Sequence, residues 1–350
     1  MRTVEEAISA LHFLIFMSYF NIPTLARLGA ASGLALALAA CADDKDVATL
    51  GPPAQVNFTQ AGLYPEGTQY DDAGGRFLVS SQTAGRIGQV KDDGTYSQFA
   101  DDSLLVSTIG LNLYVPRNRL LVAVSDPGYN RVRTKTATLR KLAAVAIFNA
   151  LGNRTAYVNL GALRPAYAAH FANDIAVDVS GNAYVTDSFA PIIYKIDQQG
   201  VASVFLENSA LAAPSGSFGL NGIVYHPDGY LIVAKSDEGA LIKVPLNNPG
   251  SFTKVNTTGL VLTGDDGLQL INNTTLLVAC NAQGQVYRLT SADGFATVSR
   301  TGSFATGSVY PTTLARRNGT DSYVLYSYLN ALQAMQNPAV SQFSLTKVSF

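Results

Sequence analysis

Charged side chains are scarce in this chain. Asp, Glu, Lys and Arg make up 14% of its 350 residues, against roughly 25% in an average soluble domain. Neither sign dominates: 24 Lys and Arg stand against 25 Asp and Glu, for a formal net charge of −1. Such a balance provides no basic face to neutralise a phosphate backbone, which argues against nucleic acid as a partner. Cysteine is nearly absent, with only Cys41 and Cys280. There is no His/Cys cluster, which disfavours zinc or copper. A Walker loop, a GxSxG elbow, an HExxH pair and a Rossmann fingerprint are all missing. Helical periodicity fades after residue 50. What is present points to strands. Hydrophobic residues reach 47%, so the chain is not disordered, and 30 Gly, 14 Pro and 17 Tyr fit many turns and short strands. The length allows one large domain or two ordinary ones.

The N-terminus reads as a targeting segment. Arg27 precedes an apolar stretch that runs through Leu34 to Ala40 and ends at Cys41. A basic residue, a short apolar run and small residues before a cleavage point make an export signal. The run is short for a membrane span, which needs ~20 apolar residues. Leu38-Ala39-Ala40-Cys41 resembles a bacterial lipobox, in which the Cys is acylated and becomes the first mature residue. An ordinary signal peptide with an incidental Cys is the competing reading. On the lipobox reading, residues 1–41 are a signal peptide and 42–58 a tether. The protein is then exported to the periplasm and lipid-anchored through Cys41, and Ala42 after the Cys favours the outer membrane. Glu5 and Glu6 do not suit a signal, and Met17 is the expected true start. With Cys41 lipidated, Cys280 has no disulfide partner. Its place in the apolar run Leu276–Cys280 marks a buried, inert thiol.

The remainder is one motif written six times. Each copy has a turn, an apolar strand, a Gly/Asp/Asn turn and a second apolar strand. Asn173-Asp174-Ile175-Ala176-Val177-Asp178 followed by Asn182-Ala183-Tyr184-Val185-Thr186-Asp187 is a clear example. The copies begin at Glu66, Ile109, Asn173, Asn221, Asp266 and Thr312, and the last is the weakest. A period of ~40–50 residues with several short strands per unit is the signature of a propeller blade. The one longer interval holds an insertion between Asp126 and Lys141. The expected fold is therefore an all-β, six-bladed β-propeller over residues 59–350. Either Gln55–Thr59 or the C-terminal stretch 342–350 supplies the strand that closes the ring.

Repeat equivalence puts the six leading residues on one rim, at the start of each innermost strand, facing the channel. Four of them bear oxygen donors: Glu66, Asn173, Asn221 and Asp266. Taken singly, an Asn, Asp or Glu before Gly reads as a turn cap. Four in register around one axis read as ligands for a hard divalent cation such as Ca²⁺.

With these residues in view, the chain resembles the family of regucalcin, gluconolactonase and luciferin-regenerating enzyme, six-bladed propellers related to the calcium-dependent phosphotriesterases. The carriers are Pro65-Glu66-Gly67, Phe171-Ala172-Asn173-Asp174, Leu220-Asn221-Gly222 and Asp265-Asp266-Gly267-Leu268. The resemblance implies that Glu66, Asn173, Asn221 and Asp266 hold one divalent ion on the axis. It also implies that Asp266 acts as base or nucleophile, with Asp265 beside it in the substrate pocket as the fallback. Export favours Ca²⁺, which is plentiful outside the cytoplasm. The reaction implied is hydrolysis of a small-molecule ester or lactone, by a monomer.

One position departs from the pattern. Sugar-lactonase members resembling regucalcin carry an Arg where this chain has Phe171. An apolar wall there suggests a less polar substrate than an aldonolactone, or no catalysis. Two other readings therefore stay open: a non-catalytic propeller that binds a ligand or protein, and a phosphotriesterase at the same ion. His170 is a further candidate base near the channel mouth, against a plain loop role. His226 falls in a blade turn. The basic run Arg131, Arg133, Lys135, Arg140 and Lys141 reads as a solvated loop, or as a contact for an anionic substrate or membrane headgroup.

Overall fold

The computed structural model describes residues 51–350. The stretch read as a signal peptide, Cys41 and most of the stretch read as a tether lie outside the described residues. Six four-stranded antiparallel sheets follow one another along the chain. The first comprises Thr68–Asp71, Arg76–Val79, Ile87–Val90 and Tyr96–Ala100, and the second Ser107–Tyr114, Arg119–Ser125, Ala143–Asn149 and Arg154–Asn159. The third runs from Ala172–Val177 to Ala202–Glu207, the fourth from Leu220–His226 to Thr253–Lys254, and the fifth from Asp265–Asn272 to Ser299–Ala305. In the first five sheets the strand order is the chain order, as in propeller blades. Each sequence repeat corresponds to the first two strands of a blade.

The sixth blade is built from both ends of the domain. Pro311–Arg317, Asp321–Tyr326 and Gln342–Lys347 form its inner three strands, and Gln55–Thr59 pairs with Gln342–Lys347 as the fourth. Both candidate closing segments thus meet in one sheet. The propeller accordingly starts at Gln55, inside the stretch 42–58 read as a tether. Its only α-helix among the described residues is Leu329–Gln333, in the sixth blade. No helix among the described residues is long and apolar enough to cross a membrane.

The core sits between blades. One cluster joins Leu121, Val145 and Ile147 of the second blade to Ile175, Val185 and Tyr194 of the third. Others join the first blade to the second, the third to the fourth, the fourth to the fifth, the fifth to the sixth, and the sixth back to the first. A blade is apolar on both faces and has nowhere to bury them alone, so each is stabilised by its neighbours. This accounts for the low charge of the chain.

One irregularity recurs and sets up the channel. In the second to sixth blades the innermost strand is bulged near its start, between Thr108 and Leu111, Ala172 and Ile175, Leu220 and Ile223, Asp265 and Leu268, and Pro311 and Leu314. In each case two residues of the inner strand stand opposite one of its partner. A bulge re-aims side chains out of the normal alternation. Here the re-aimed pairs are Ile109-Gly110, Asn173-Asp174, Asn221-Gly222, Asp266-Gly267 and Thr312-Thr313.

The second residue of such a pair faces the backbone of the next blade. A Cβ on Gly222 would lie 2.2 Å from the Asp266 carbonyl oxygen, and one on Gly267 would lie 2.5 Å from that of Thr312. Neither neighbour is a side chain that can swing away. Gly222→Ala is expected to cost ~1–3 kcal/mol or more by forcing the fourth and fifth blades apart. Gly250→Ala, where the nearest atom would be 3.9 Å away, should stay within about 0.5 kcal/mol. Urea unfolding of the two variants checks the contrast.

Candidate metal centre and its cavity

Glu66, Asn173, Asn221 and Asp266 line one cavity of ≈ 360 Å³ at the end of the channel where the inner strands begin. Ile109 lines it too. Thr312, the sixth rim residue, is buried, and its hydroxyl donates to the Glu66 carbonyl at 2.7 Å, tying the last blade to the first.

A second set of residues orients the four. The Asn173 amide donates through Nδ2 to Ser188 Oγ at 2.9 Å, and Ser188 Oγ donates its own proton to the Leu220 carbonyl at 2.6 Å. Asn221 repeats the pattern one blade on, with Nδ2 3.0 Å from Ser236 Oγ, whose hydroxyl is spent on the Asp265 carbonyl. A hydroxyl has one proton. With that proton on a carbonyl, each serine can only accept from the amide, which fixes Nδ2 toward the serine and leaves Oδ1 on the other side. Ser80 Oγ accepts from the Glu66 and Gly67 amides at 3.0 and 2.8 Å. Asn281 Nδ2 donates to Asp266 Oδ2 at 2.9 Å. These partners follow the rim residues by 14, 15, 15 and 15 positions. The near-constant interval means that the repeat spacing carries this second set as well as the rim.

On these rim residues three buried oxygens are left without a partner: Glu66 Oε2, Asn173 Oδ1 and Asn221 Oδ1. Buried acceptors are ordinarily satisfied, because a bare one forfeits its hydration. Three on residues lining one cavity, with Asp266 beside them, fit a hard cation with oxygen ligands. Among the described residues no group of three or more His, Cys, Asp and Glu could hold a metal ion. The donor set here is half amide, and that composition favours Ca²⁺-like chemistry over zinc.

The electrostatics point the same way. Burial, and then the Asp266 and Asp174 charges, push the Glu66 carboxyl well above its usual range. Asp266 is raised to about 7, chiefly by burial, with Asn281 pulling down and Asp174 pushing up. Asp174 is also raised to about 7 by burial, although its oxygens accept from the Ile175 and Ile223 amides at 2.8 and 3.2 Å. Two carboxyl groups buried in one cavity, Glu66 and Asp266, with the Asp174 charge acting on both, are costly to ionise without a cation.

Other sequence candidates fall elsewhere. Asp265 is not among the cavity-lining residues. It is paired in the ladder opposite Cys280 and fully buried, and both its carboxyl oxygens lack partners. The bulge begins immediately after it, so Asp266 turns into the channel and Asp265 turns away. Burial and the neighbouring Asp266 raise the Asp265 carboxyl well above its usual range.

His170 is likewise absent from the cavity lining. Its Nδ1 lies 2.7 Å from Asp187 Oδ2 and its Nε2 3.0 Å from the Arg164 carbonyl. Both nitrogens face acceptors, which suits the doubly protonated ring. Burial lowers its pKa, but the Asp187 hydrogen bond and charge and the Arg164 carbonyl outweigh that, so the net shift is upward. Asp187 Oδ1 meanwhile accepts from the Phe171, Phe189 and Ala190 amides. His170 thus anchors the loop that presents Phe171, and no ring nitrogen is left to act as a base.

Phe171 does line the cavity. His226 is buried in its turn, stacked on Tyr230 at 4.2 Å. Cys280 is a buried free thiol that burial pushes up. Within the basic run, Arg133 is absorbed by Asp101 at 2.7 Å and by the Asp102 and Leu105 carbonyls. The sequence reading missed Tyr129, Phe218, Tyr310 and Leu329, all of which line the cavity from loops or the short helix rather than from the repeat.

No family model and no curated protein matches the chain. Solved structures do. The major allergen Mala s 1 of Malassezia sympodialis aligns with a TM-score of 0.67 at 18% identity, over 85% of this chain and 96% of that one. The calcium-binding protein regucalcin of Agrobacterium tumefaciens gives 0.58 at 17%, over 83% and 92%. A gluconolactonase of Xanthomonas campestris gives 0.57 at 14%, over 84% and 89%. The chain has the six-bladed fold of these proteins. At such identities the likeness establishes the architecture, and the chemistry must be argued from this chain's own residues.

Proposed function

We propose that the protein is a Ca²⁺-dependent hydrolase of small-molecule esters or lactones, exported and lipid-anchored through Cys41. The observation that carries the catalytic reading is the set of unpartnered oxygens on Glu66, Asn173 and Asn221, gathered with Asp266 in one cavity. Solved neighbours that include a gluconolactonase and a regucalcin support it. Glu66, Asn173, Asn221 and Asp266 would hold the ion. A bound divalent cation supplies Lewis-acid polarisation of a carbonyl or phosphoryl oxygen.

The chain supplies the rest. Asp266, which a bound cation would keep ionised, can take a proton from water. Asn281 holds its Oδ2 in place. Ser188 and Ser236 keep the two amides turned the right way, and Phe171 and its neighbours limit bulk water.

The test is hydrolysis of a lactone, ester and phosphotriester panel by the Ca²⁺-loaded protein, after chelation, and after Ca²⁺ is restored. Loss and recovery with the ion are expected, and the panel separates lactonase from phosphotriesterase action. Activity that survives in both Glu66→Ala and Asp266→Ala would sink the reading. A protein that binds no divalent ion by calorimetry would instead favour a non-catalytic ligand-binding propeller.

A further inference from the structure

The cavity above the four oxygen donors has an aromatic wall. Phe171, Phe189 and Phe218 form a closed triangle, with ring centroids 5.3, 5.2 and 5.0 Å apart. The Phe171–Phe218 pair is edge-to-face at 85°, a favoured aromatic geometry. The Arg140 guanidinium covers Phe189 at 4.8 Å from the ring centroid. The backbone beneath is pinned by Asp187, which accepts from the Phe171 and Phe189 amides and is itself held by His170 and by Tyr194 at 3.1 Å. This wall is built to stay in place.

Two features mark it as a binding surface rather than core. Phe171 is 2% exposed, but Phe218 is 37% exposed while lining the cavity beside Asn221. Apolar area left open at a concave site marks ligand contact. Across the cavity, Tyr310 sits at φ +53°, a region bulky residues avoid, and its carbonyl is held by the Ser327 hydroxyl at 2.6 Å. Strain of this kind at a site-lining residue persists where the surroundings impose it. No Lys or Arg lines the cavity, so no side chain there selects an anionic substrate.

We infer that the cavity takes an aromatic lactone or aryl ester, with the aryl ring against Phe171 and Phe218 and the carbonyl at the Glu66–Asn173–Asn221–Asp266 end. This rests on the hydrolase reading above and names its substrate class. A polyhydroxylated sugar lactone seated the same way would press hydroxyls against rings that offer no partner, a mismatch worth on the order of 100-fold at most. The reaction balances as simple hydrolysis. The water oxygen bonds to the carbonyl carbon and the carbonyl–O(aryl) bond breaks. The phenoxide takes one water proton and the other stays with the new carboxyl group, so an aryl ester gives a carboxylic acid and a phenol, and an aromatic lactone one ring-opened molecule bearing both groups.

The experiment compares dihydrocoumarin with glucono-δ-lactone on the Ca²⁺-loaded full chain, and titrates the same protein with chroman, a non-hydrolysable ring of the same shape. The expected result is a kcat/KM for dihydrocoumarin at least tenfold higher. Chroman binding should weaken about tenfold in Phe218→Ala, a substitution at a partly exposed position. An equal or reversed substrate preference overturns the inference while leaving the hydrolase reading intact. If neither lactone is hydrolysed, the hydrolase reading fails, and the wall is judged by chroman alone. Binding that weakens in Phe218→Ala then supports the aryl site, and absent or unaltered binding overturns it.

Discussion

Asp266→Asn is expected to abolish the response to Ca²⁺ and, at the same time, to make the chelated protein more stable than the natural one. The two effects share a cause. Without a cation, burial raises the Glu66 and Asp266 carboxyls, the Asp266 and Asp174 charges push Glu66 up further, and the Asp174 charge does the same to Asp266. An isosteric amide removes one charge, and its oxygen can still accept from Asn281. The variant should therefore gain in apo stability.

With Ca²⁺ present the sign reverses. At a hundredfold excess over Kd, ligand binding adds about 2.7 kcal/mol to the natural protein. Losing an outer partner of a ligand typically costs 10–100-fold in metal affinity, so losing a charged ligand should cost at least about 100-fold, and hydrolysis with it. Melting curves in chelator and in Ca²⁺ give both numbers. A variant less stable in chelator, with its Ca²⁺ gain intact, would remove Asp266 from the site.

The pH dependence follows from the same group. Its pKa of about 7 in the folded protein lies above the ordinary carboxyl value of 3.8. Between those values the folded state binds more protons than the unfolded one, so stability falls as pH rises. The contribution is fully present below about pH 4 and is lost as pH rises through about 7. That slope should flatten in Asp266→Asn, and also in Ca²⁺, because a bound cation favours the ionised carboxylates.

The second large effect lies far from the cavity. Removing the chain through Thr59 should leave a protein that does not hold its fold at 37 °C, although no cavity-lining residue is lost. Gln55–Thr59 is the outer strand of the sixth blade, so the ring is closed by hydrogen bonds between the two ends of the domain. Phe58 is its buried anchor, 5.8 Å from the Phe343 ring and 6.1 Å from Tyr96 of the first blade. The Lys347 amide also donates to the Ala54 carbonyl at 2.8 Å. Without that strand, the outer edge of Gln342–Lys347 is unpaired and the apolar cluster between the last and first blades opens to water. Phe58→Ala, a milder cut, should cost ~3–5 kcal/mol and lower the melting midpoint by on the order of 10 °C. A truncated protein that melts with the natural midpoint would mean the ring closes by other contacts, such as the paired bonds of Arg317 to Asp92 at 2.8 and 2.6 Å.

The sequence by itself determined the architecture and the rim. Blade period, strand alternation and the six leading residues are local features repeated along the chain, and repetition makes them readable without coordinates. Glu66, Asn173, Asn221 and Asp266 could be aligned because equivalent positions in a ring face the same axis. The tertiary structure decided what adjacency in sequence could not. Asp265 and Asp266 are neighbours, yet a bulge sends one into the channel and the other into the core. His170 lies three residues from Asn173, yet Asp187 and the Arg164 carbonyl take both its nitrogens. The aromatic wall joins Phe171, Phe189 and Phe218 with Arg140 from a different loop. Contacts of this kind are made between loops that share no period, and only the closed ring brings them together.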